Sequence, residues 1–408
     1  MNKSPDPKRI LTLTSTFPRW KDDTDPPFVM ELCRRLAERF RIHVLAPHAP
    51  DSSSAEDIDG IRVTRYRYGP SRWENLAYGG GILASLKQNP LRYGMIPFFI
   101  LFQLQAIQDL LRRYRFDLIH AHWLIPQGLC AAIFRNWSDS FPPLLCTSHG
   151  GDLFGLNGKF MDGTKRWVIK KASAVTTVSG AMSHAVDTLQ IDREKVHVIP
   201  MGVDLQRRFV PPHRPRCGKK LLFVGRMVEK KGLTYLIDAL PLILVKHPEA
   251  TLTVIGEGPE KNRLLRRVSE VGIENQVTFK GAIKNASLPG YYQDSDIVVF
   301  PSVIANDGDR EGFGLVLVEA LGCACAAVVT DLPAMRDIVR DGCNALVVRQ
   351  KDARQIANAV IRLLDHPLLC QRLGEAGRIR VLEKFDWAVV AAQYGNLIDS
   401  ITVARQAS

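Results

Sequence analysis

Two glutamates eight residues apart are the strongest chemical signal in this sequence. They occur in Arg310-Glu311-Gly312-Phe313-Gly314-Leu315, followed by Glu319-Ala320. Glu311 follows a stretch of Asn, Asp and Gly at 306–309. Glycines there let backbone approach a ligand closely. A helix is expected from about Phe313, carrying Glu319; if the whole stretch is helical, the two carboxylates stand roughly 12 Å apart at about 1.5 Å per residue. That spacing suits a ligand with hydroxyls at both ends and a diphosphate between them. The helix N-terminus would offer free N–H groups and a positive dipole to the diphosphate. The plainer alternative is a solvated loop glutamate and an ordinary helix glutamate.

A second group is Val224-Gly225-Arg226-Met227, then Glu229-Lys230-Lys231-Gly232, placed just after an expected strand. Ligands of open α/β sheets bind at that carboxyl edge. Arg226 and Lys231 suit a diphosphate leaving group, Arg as a fork and Lys as a compact charge; Lys230 reads as part of an exposed basic turn. A third group, Thr147-Ser148-His149-Gly150-Gly151-Asp152, ends another strand. His149 there suits a bond to a sugar hydroxyl or charge balance at an anomeric centre. His120 and His122 lie two apart on a strand and so face the same way. No third metal ligand accompanies them, and polar lining of an acceptor site is the preferred reading. Neither a Gly-x-Gly-x-x-Gly fingerprint nor a Walker A loop is present.

These residues need positioning elements, and the hydrophobic pattern supplies them. Strand-like runs at Ile10–Thr14, Ile42–Ala46, Ile61–Tyr66, Asp117–His120, Leu144–Thr147, Ala174–Val178 and Val196–Ile199 alternate with helical patterns such as Phe28–Arg39 and Ile100–Arg113. Pro211–Gly218, with three prolines and a glycine, reads as a linker. The series restarts at Lys220–Val224, Thr251–Ile255, Val277–Lys280, Ile297–Phe300, Ala326–Thr330 and Ala345–Val348. Helices are expected from Leu233, Glu260 and Phe313, with Pro241 kinking or ending the first of them. The final 55 residues are helical in pattern. Alternating βαβ units imply parallel sheets covered on both faces. The expected organisation is an α/β chain with a domain at 1–212, a second at 218–385, and a terminal helix at 386–408 that crosses back to the first.

Taken together, the motifs resemble the retaining family 4 glycosyltransferases of the GT-B class, over essentially the whole chain. The matching pieces are the loop from Thr14 to Phe28, His149-Gly150-Gly151-Asp152, Ile199-Pro200-Met201-Gly202-Val203-Asp204, Gly225-Arg226 with Lys231-Gly232, Gly256-Glu257-Gly258-Pro259, and Glu311-Gly312-Phe313-Gly314 with Glu319. The resemblance implies two facing Rossmann-like doubly wound domains with a cleft between them. It implies a hexosyl unit moved from a UDP- or GDP-sugar to a glycan or lipid-linked acceptor, with retained configuration, in surface polysaccharide or glycolipid synthesis. Glu311 would contact the donor sugar near the reaction centre and His149 would sit near that sugar, these two being the catalytic pair. Glu319 would hold the ribose; Arg226 and Lys231 would stabilise the diphosphate, with Gly225, Phe313, Gly314 and Leu315 completing the donor site. His122 and Asp152 are acceptor-side candidates. The class needs neither metal nor cofactor. One departure stands out: many relatives carry Gly-Gly in the first loop, whereas Phe17–Phe28 here has no glycine, so that loop is assigned no catalytic role.

Composition bounds the partners. A net charge of +12 and a pI near 9.4 favour anionic ones. From Arg62 to Arg115 there are nine Arg or Lys against Glu74 and Asp109, interleaved with Trp73, Tyr78, Tyr93, Phe98 and Phe99. That mixture suits an anionic membrane surface, or equally an ordinary basic surface. Ile10–Leu13 is too short for a signal-peptide core, and Met95–Phe102 too short to span a bilayer. The eight cysteines show no Cys-x-x-Cys pair, which suits a reducing compartment. The expected place is the cytoplasm, peripheral to the inner membrane face. Competing readings are a nucleotide-sugar epimerase or phosphorylase on the same scaffold, and a nucleic-acid-binding protein; the last leaves Glu311 and Glu319 unexplained.

Overall fold

Runs of aliphatic residues buried on both faces, such as Leu144–Ser148 and Ala326–Thr330, are what central strands of parallel sheets require. In the computed structural model, which describes residues 6–20, 23, 27–138, 140–189, 191–213 and 219–406, these runs build two sheets. The first holds β1 (Arg9–Leu13), β2 (Arg41–Pro47), β3 (Ala55–Ile58), β4 (Ile61–Tyr66), β5 (Leu118–His122), β6 (Leu144–Ser148), β7 (Ala174–Thr177) and β8 (Val196–Val198), in the order β3-β4-β2-β1-β5-β6-β7-β8. The second holds β9 (Lys220–Val224), β10 (Thr251–Ile255), β11 (Val277–Gly281), β12 (Ile297–Phe300), β13 (Ala326–Thr330) and β14 (Leu346–Val348), in the order β11-β10-β9-β12-β13-β14. Pairings are parallel except that of β3, which runs antiparallel to β4. The hydrophobic pattern does not announce β3: Ala55-Glu56-Asp57-Ile58 is a partly exposed edge strand and carries no buried face.

Contacts divide the chain into one unit of Met1–Met201 with Val390–Ser408 and another of Gly202–Val389. The division therefore precedes the expected linker. Pro211–His213 belong to the second unit, and residues 214–218 lie outside those described. The reason is local packing. The Val203 N–H donates to the Phe385 carbonyl at 2.9 Å and the Trp387 N–H to the Val203 carbonyl at 3.2 Å. A Cβ on Gly202 would lie 2.4 Å from the Trp387 ring, so only glycine fits. The terminal helix, Trp387–Gln406, is part of the first unit from Val390 onward. Val390, Tyr394 and Ile398 are fully buried, and the Lys8 ammonium donates to Asp399 at 2.6 Å and to Thr402 at 2.7 Å.

In the second unit, helix Leu233–Lys246 runs through Pro241 instead of ending there. A proline inside a helix costs about 3 kcal/mol. Burying Leu233, Leu236, Ile237, Leu240 and Ile243 at about 1.5–3 kcal/mol each outweighs that cost. Cys33, Cys130, Cys146, Cys323 and Cys325 are buried free thiols, and burial pushes those of Cys33, Cys130 and Cys146 upward.

Strand order reverses between β1 and β5 in the first sheet and between β9 and β12 in the second. Such reversals open the crevice in which doubly wound sheets bind ligands. The loops after β5 and β6 carry Trp123 and His149; those after β9 and β12 carry Arg226–Gly232 and Pro301–Gly314.

Candidate functional site

In the second unit the two loops at the reversal run against each other. Gly232 has φ +64°, and a Cβ there would lie 1.9 Å from the Pro301 carbonyl oxygen. Gly256 has φ +133°, and a Cβ there would lie 2.0 Å from the Gly225 carbonyl oxygen. Both places exclude any other residue. The Val303 N–H donates to the Lys230 carbonyl at 2.8 Å and closes the pair of loops.

This closure brings cations to carboxylates. Lys231 Nζ donates to Glu311 Oε2 at 2.5 Å, with both side chains largely buried. Lys230 Nζ pairs with Asp309 at 3.0 Å, so Lys230 anchors the 301–311 loop instead of standing free in an exposed turn. Burial alone would raise the Glu311 carboxyl, but Lys231 and then Lys230 hold it below the usual carboxylate value. Glu319 goes the other way. Burial pushes it up to about 7, against the opposing pull of its bond from Tyr292 and the charges of Arg208 and Lys231. The Tyr292 hydroxyl, fully buried on helix Leu288–Gln293, donates to Glu319 Oε2 at 2.9 Å. Two carboxylates of one site thus sit in environments that separate their protonation, a pattern common where acid and base roles are divided.

The helix bearing Glu319 begins at Leu315 and ends at Gly322. The stretch from Glu311 to Gly314 is not helical, so the roughly 12 Å spacing expected of a continuous helix does not apply. Gly314, at φ +102°, is the N-cap, and no side chain caps the helix. Its leading N–H groups, Leu315 first, meet no capping side chain, the kind of helix end that suits an anion. Gly225 closes β9, its N–H donating to the Ile255 carbonyl at 3.0 Å, and Arg226 beside it is exposed. Phe313 departs from expectation: its ring is buried against Phe385, centroids 5.4 Å apart, so its side chain belongs to the core and not to a ligand contact.

In the first unit three histidines converge. His120 and His122 share a face of β5, as their two-residue spacing requires, with ring centroids 4.3 Å apart and planes tilted by 33°. His122 Nδ1 lies 2.9 Å from His149 Nε2, although 27 residues separate them. His120 Nε2 lies 2.8 Å from Thr147 Oγ1. Phe28 and Trp123 flank His149 with centroids at 5.0 and 4.9 Å. Burial pushes His120 to about 3; burial and then His120 push His149 to about 3; His122 is lowered by the same causes. Burial thus disfavours the charged form of all three, which suits His149 to a hydrogen-bonding role. Among the described residues no three metal-binding side chains are arranged around a common point.

The acceptor-side expectations need correction. His122 is fully buried and faces His149. Asp152 is also buried: one oxygen accepts from the Leu124 N–H at 2.7 Å, the other from the Ser148 hydroxyl at 2.8 Å. Its carboxylate ties the loops after β5 and β6 together and faces protein. Of the glycine-free first loop, Lys21, Asp22 and Thr24–Pro26 lie outside the described residues. The remainder is held by Arg19, which donates to Asp23 at 2.6 and 2.8 Å, and by buried Arg65, which donates to the Pro18 carbonyl at 2.6 Å. Tyr292 and Arg208 carried no sequence signal, because nothing in their local sequence marks the carboxylate each one meets.

Residues 27–207 match the profile of Glycosyltransferase Family 4, and residues 209–380 match that of Glycosyl transferases group 1. The chain belongs to glycosyltransferase family 4. Glycogen synthase of Mycobacterium tuberculosis is 28% identical over 291 residues, 69% of this chain and 68% of the relative. Phosphatidyl-myo-inositol mannosyltransferase of Mycobacterium leprae is 26% identical over 386 residues, 92% of each chain. Among solved structures, sucrose-phosphate synthase from Thermosynechococcus elongatus superposes with a TM-score of 0.77 at 22% identity, covering 97% of this chain and all of that one (100%). Anabaena HepE, solved with UDP and glucose, gives 0.72 at 18% identity, covering 96% of this chain and 100% of that chain. The fold of this family 4 glycosyltransferase is thus the GT-B pair of Rossmann-like α/β domains. The epimerase, phosphorylase and nucleic-acid readings find no support in these matches.

Proposed function

We propose that this glycosyltransferase moves a hexosyl unit from a UDP- or GDP-sugar to a glycan or lipid-linked acceptor, with retention, in surface polysaccharide or glycolipid synthesis. The observation that carries the donor reading is the largely covered Lys231–Glu311 pair at the second sheet's reversal, beside an uncapped helix N-terminus whose own helix carries Glu319. Glu311 is assigned to the sugar, Glu319 to the ribose hydroxyls, and Lys231 with Arg226 and the helix end to the diphosphate. His149, in the first unit, is assigned to the sugar that moves. Because these cations and N–H groups take the leaving charge, no metal is required. The test is protection of the purified protein against thermal unfolding by UDP, GDP and ADP, each with and without EDTA. One nucleotide should protect selectively, by about 2.7 kcal/mol at a hundredfold excess over its Kd, and EDTA should not matter. No protection by any of the three at millimolar concentration overturns the donor site; protection abolished by EDTA overturns the metal-free reading.

We further propose that the protein sits on the cytoplasmic face of an anionic membrane. Support comes from the segment Pro90–Arg113, a 3-10 turn (Pro90–Met95) running into helix Ile96–Arg113. By length and composition alone it is apolar enough to cross a bilayer, longer than its apolar run of 95–102 implies. One face docks on the unit through buried Phe99, Gln103, Ile107 and Leu110. That attachment favours lying on a membrane over spanning it. The opposite side exposes Leu91 at 88%, with Tyr93, Phe98 and Leu101 each more than half exposed. Three members of the expected patch are not available: Arg65 is buried in its pair with Glu56, and Tyr78 and Phe99 are core residues. The net charge of +12 complements anionic lipid. In vesicle co-sedimentation, binding should require anionic lipid, and Leu91→Ser with Phe98→Ser and Leu101→Ser should weaken it at least about tenfold, given about 1.5–3 kcal/mol per large apolar side chain buried. Equal sedimentation with neutral vesicles, or none, accompanied by self-association, would assign the patch to protein contact.

A further inference from the structure

The geometry points to His122 as a positioning residue: we infer that its Nδ1–H donates to Nε2 of His149 and holds His149 as the tautomer protonated on Nδ1. The inference rests on the reading that His149 meets the sugar being transferred.

Only one proton fits between His122 Nδ1 and His149 Nε2, which are 2.9 Å apart. Two arrangements are possible for a neutral pair, because each imidazole carries one ring proton. If His149 were the donor, His122 would bear its own proton on Nε2. That atom is buried and has no hydrogen-bond partner. A buried N–H without an acceptor is the rarer and costlier defect, whereas a bare acceptor atom is more often tolerated. His122 therefore keeps Nε2 bare and donates from Nδ1. His149, accepting at Nε2, must carry its proton on Nδ1.

The rings are braced in this orientation. His120 packs against His122 with centroids 4.3 Å apart and is itself held by Thr147, whose hydroxyl lies 2.6 Å from that of Thr176. Thr176 in turn reaches the Tyr394 hydroxyl on the terminal helix at 3.4 Å. The outcome is one oriented neutral donor: His149 Nδ1–H has no protein partner among the described residues, and His149 is partly exposed. A neutral imidazole N–H of fixed direction suits a sugar hydroxyl or ring oxygen. The choice of ring nitrogen is set by the bond the other nitrogen makes.

The test is nitrogen NMR of the full chain with 15N-labelled histidine at pH 7, His149 being assigned by its loss in His149→Asn. A protonated Nδ1 and bare Nε2 are expected for His149 in the wild type. His122→Phe should disturb that pattern and lower kcat by about 10- to 100-fold, with the donor KM within about twofold, the usual scale for a partner that orients an active group. His122→Asn, whose amide can donate from the same place, should restore most of both. A wild-type His149 protonated on Nε2 overturns the inference, and so does a His122→Phe protein with unchanged pattern and unchanged kcat. The wild-type spectrum decides the tautomer even if the Phe variant does not fold. Nucleotide protection reports on the donor site separately, so its failure would leave the tautomer result standing.

Discussion

Glu311→Gln is expected to lower kcat by about 10²-fold or more while leaving the fold in place. Gln keeps the shape and hydrogen-bonding reach of the side chain but removes its charge. In the native site that charge is maintained by Lys231 at 2.5 Å and by Lys230 nearby, both of which hold the carboxyl ionised. On the proposed assignment of Glu311 to the donor sugar, that negative charge lies where positive charge develops. Removal of one such preorganised group costs about 10²- to 10³-fold. The cost to stability should be moderate, because Gln keeps a hydrogen bond but leaves Lys231, a largely covered cation, without its counter-charge, the side-chain exposures being 18% and 17%. It should exceed the about 1 kcal/mol of an exposed pair, which is roughly 2–4 °C in a domain this size. Initial rates with the donor identified by thermal protection, read beside the melting midpoint, separate the two effects. A kcat within about threefold of wild type would remove Glu311 from the chemistry.

Glu319→Ala should abolish selective protection by the nucleotide, and the pH dependence of binding should identify why. Ribose hydroxyls donate to a carboxylate, so they favour its charged form. Burial pushes Glu319 up to about 7 in the free protein, even with the Tyr292 hydroxyl at 2.9 Å opposing the shift. Affinity should therefore rise as pH rises toward 7 and level off above it, with about tenfold weaker binding for each unit below, since each unit is 1.36 kcal/mol. The nucleotide's own phosphate titrates nearby, so the comparison is with Glu319→Gln, in which only the phosphate contribution remains. Stability runs in the opposite direction. The folded value lies above the ordinary carboxylate value of 4.5, so between 4.5 and about 7 the native protein binds the proton and the unfolded chain does not. Stability of the unliganded protein from this group falls as pH rises through that window. Calorimetric Kd values from pH 6 to 8 check the first claim; identical slopes in wild type and Glu319→Gln would sink it.

The alternation of strands and helices was open to reading because its signal is local: aliphatic runs for the buried strands, helical spacing for their crossovers. Lys220–Val224, Thr251–Ile255, Ile297–Phe300 and Ala326–Thr330 coincide with the strands observed. β3 was invisible for the converse reason, since an edge strand with no buried face has no pattern to show. Pro241 misled because a local penalty was weighed without the burial that offsets it.

The chemical residues divide in the same way. Glu311, Glu319, Lys231 and His149 can be nominated from the sequence alone, since motif spacing and the position after a strand depend only on neighbours along the chain. What each does to the others was decided by the tertiary structure. Lys231 meets Glu311 across 80 residues, Tyr292 meets Glu319 across 27, and His122 meets His149 across 27. Parallel strands bring such distant loops to one sheet edge. Burial there then decides which carboxylate is charged, which histidine is neutral and which ring nitrogen keeps its proton.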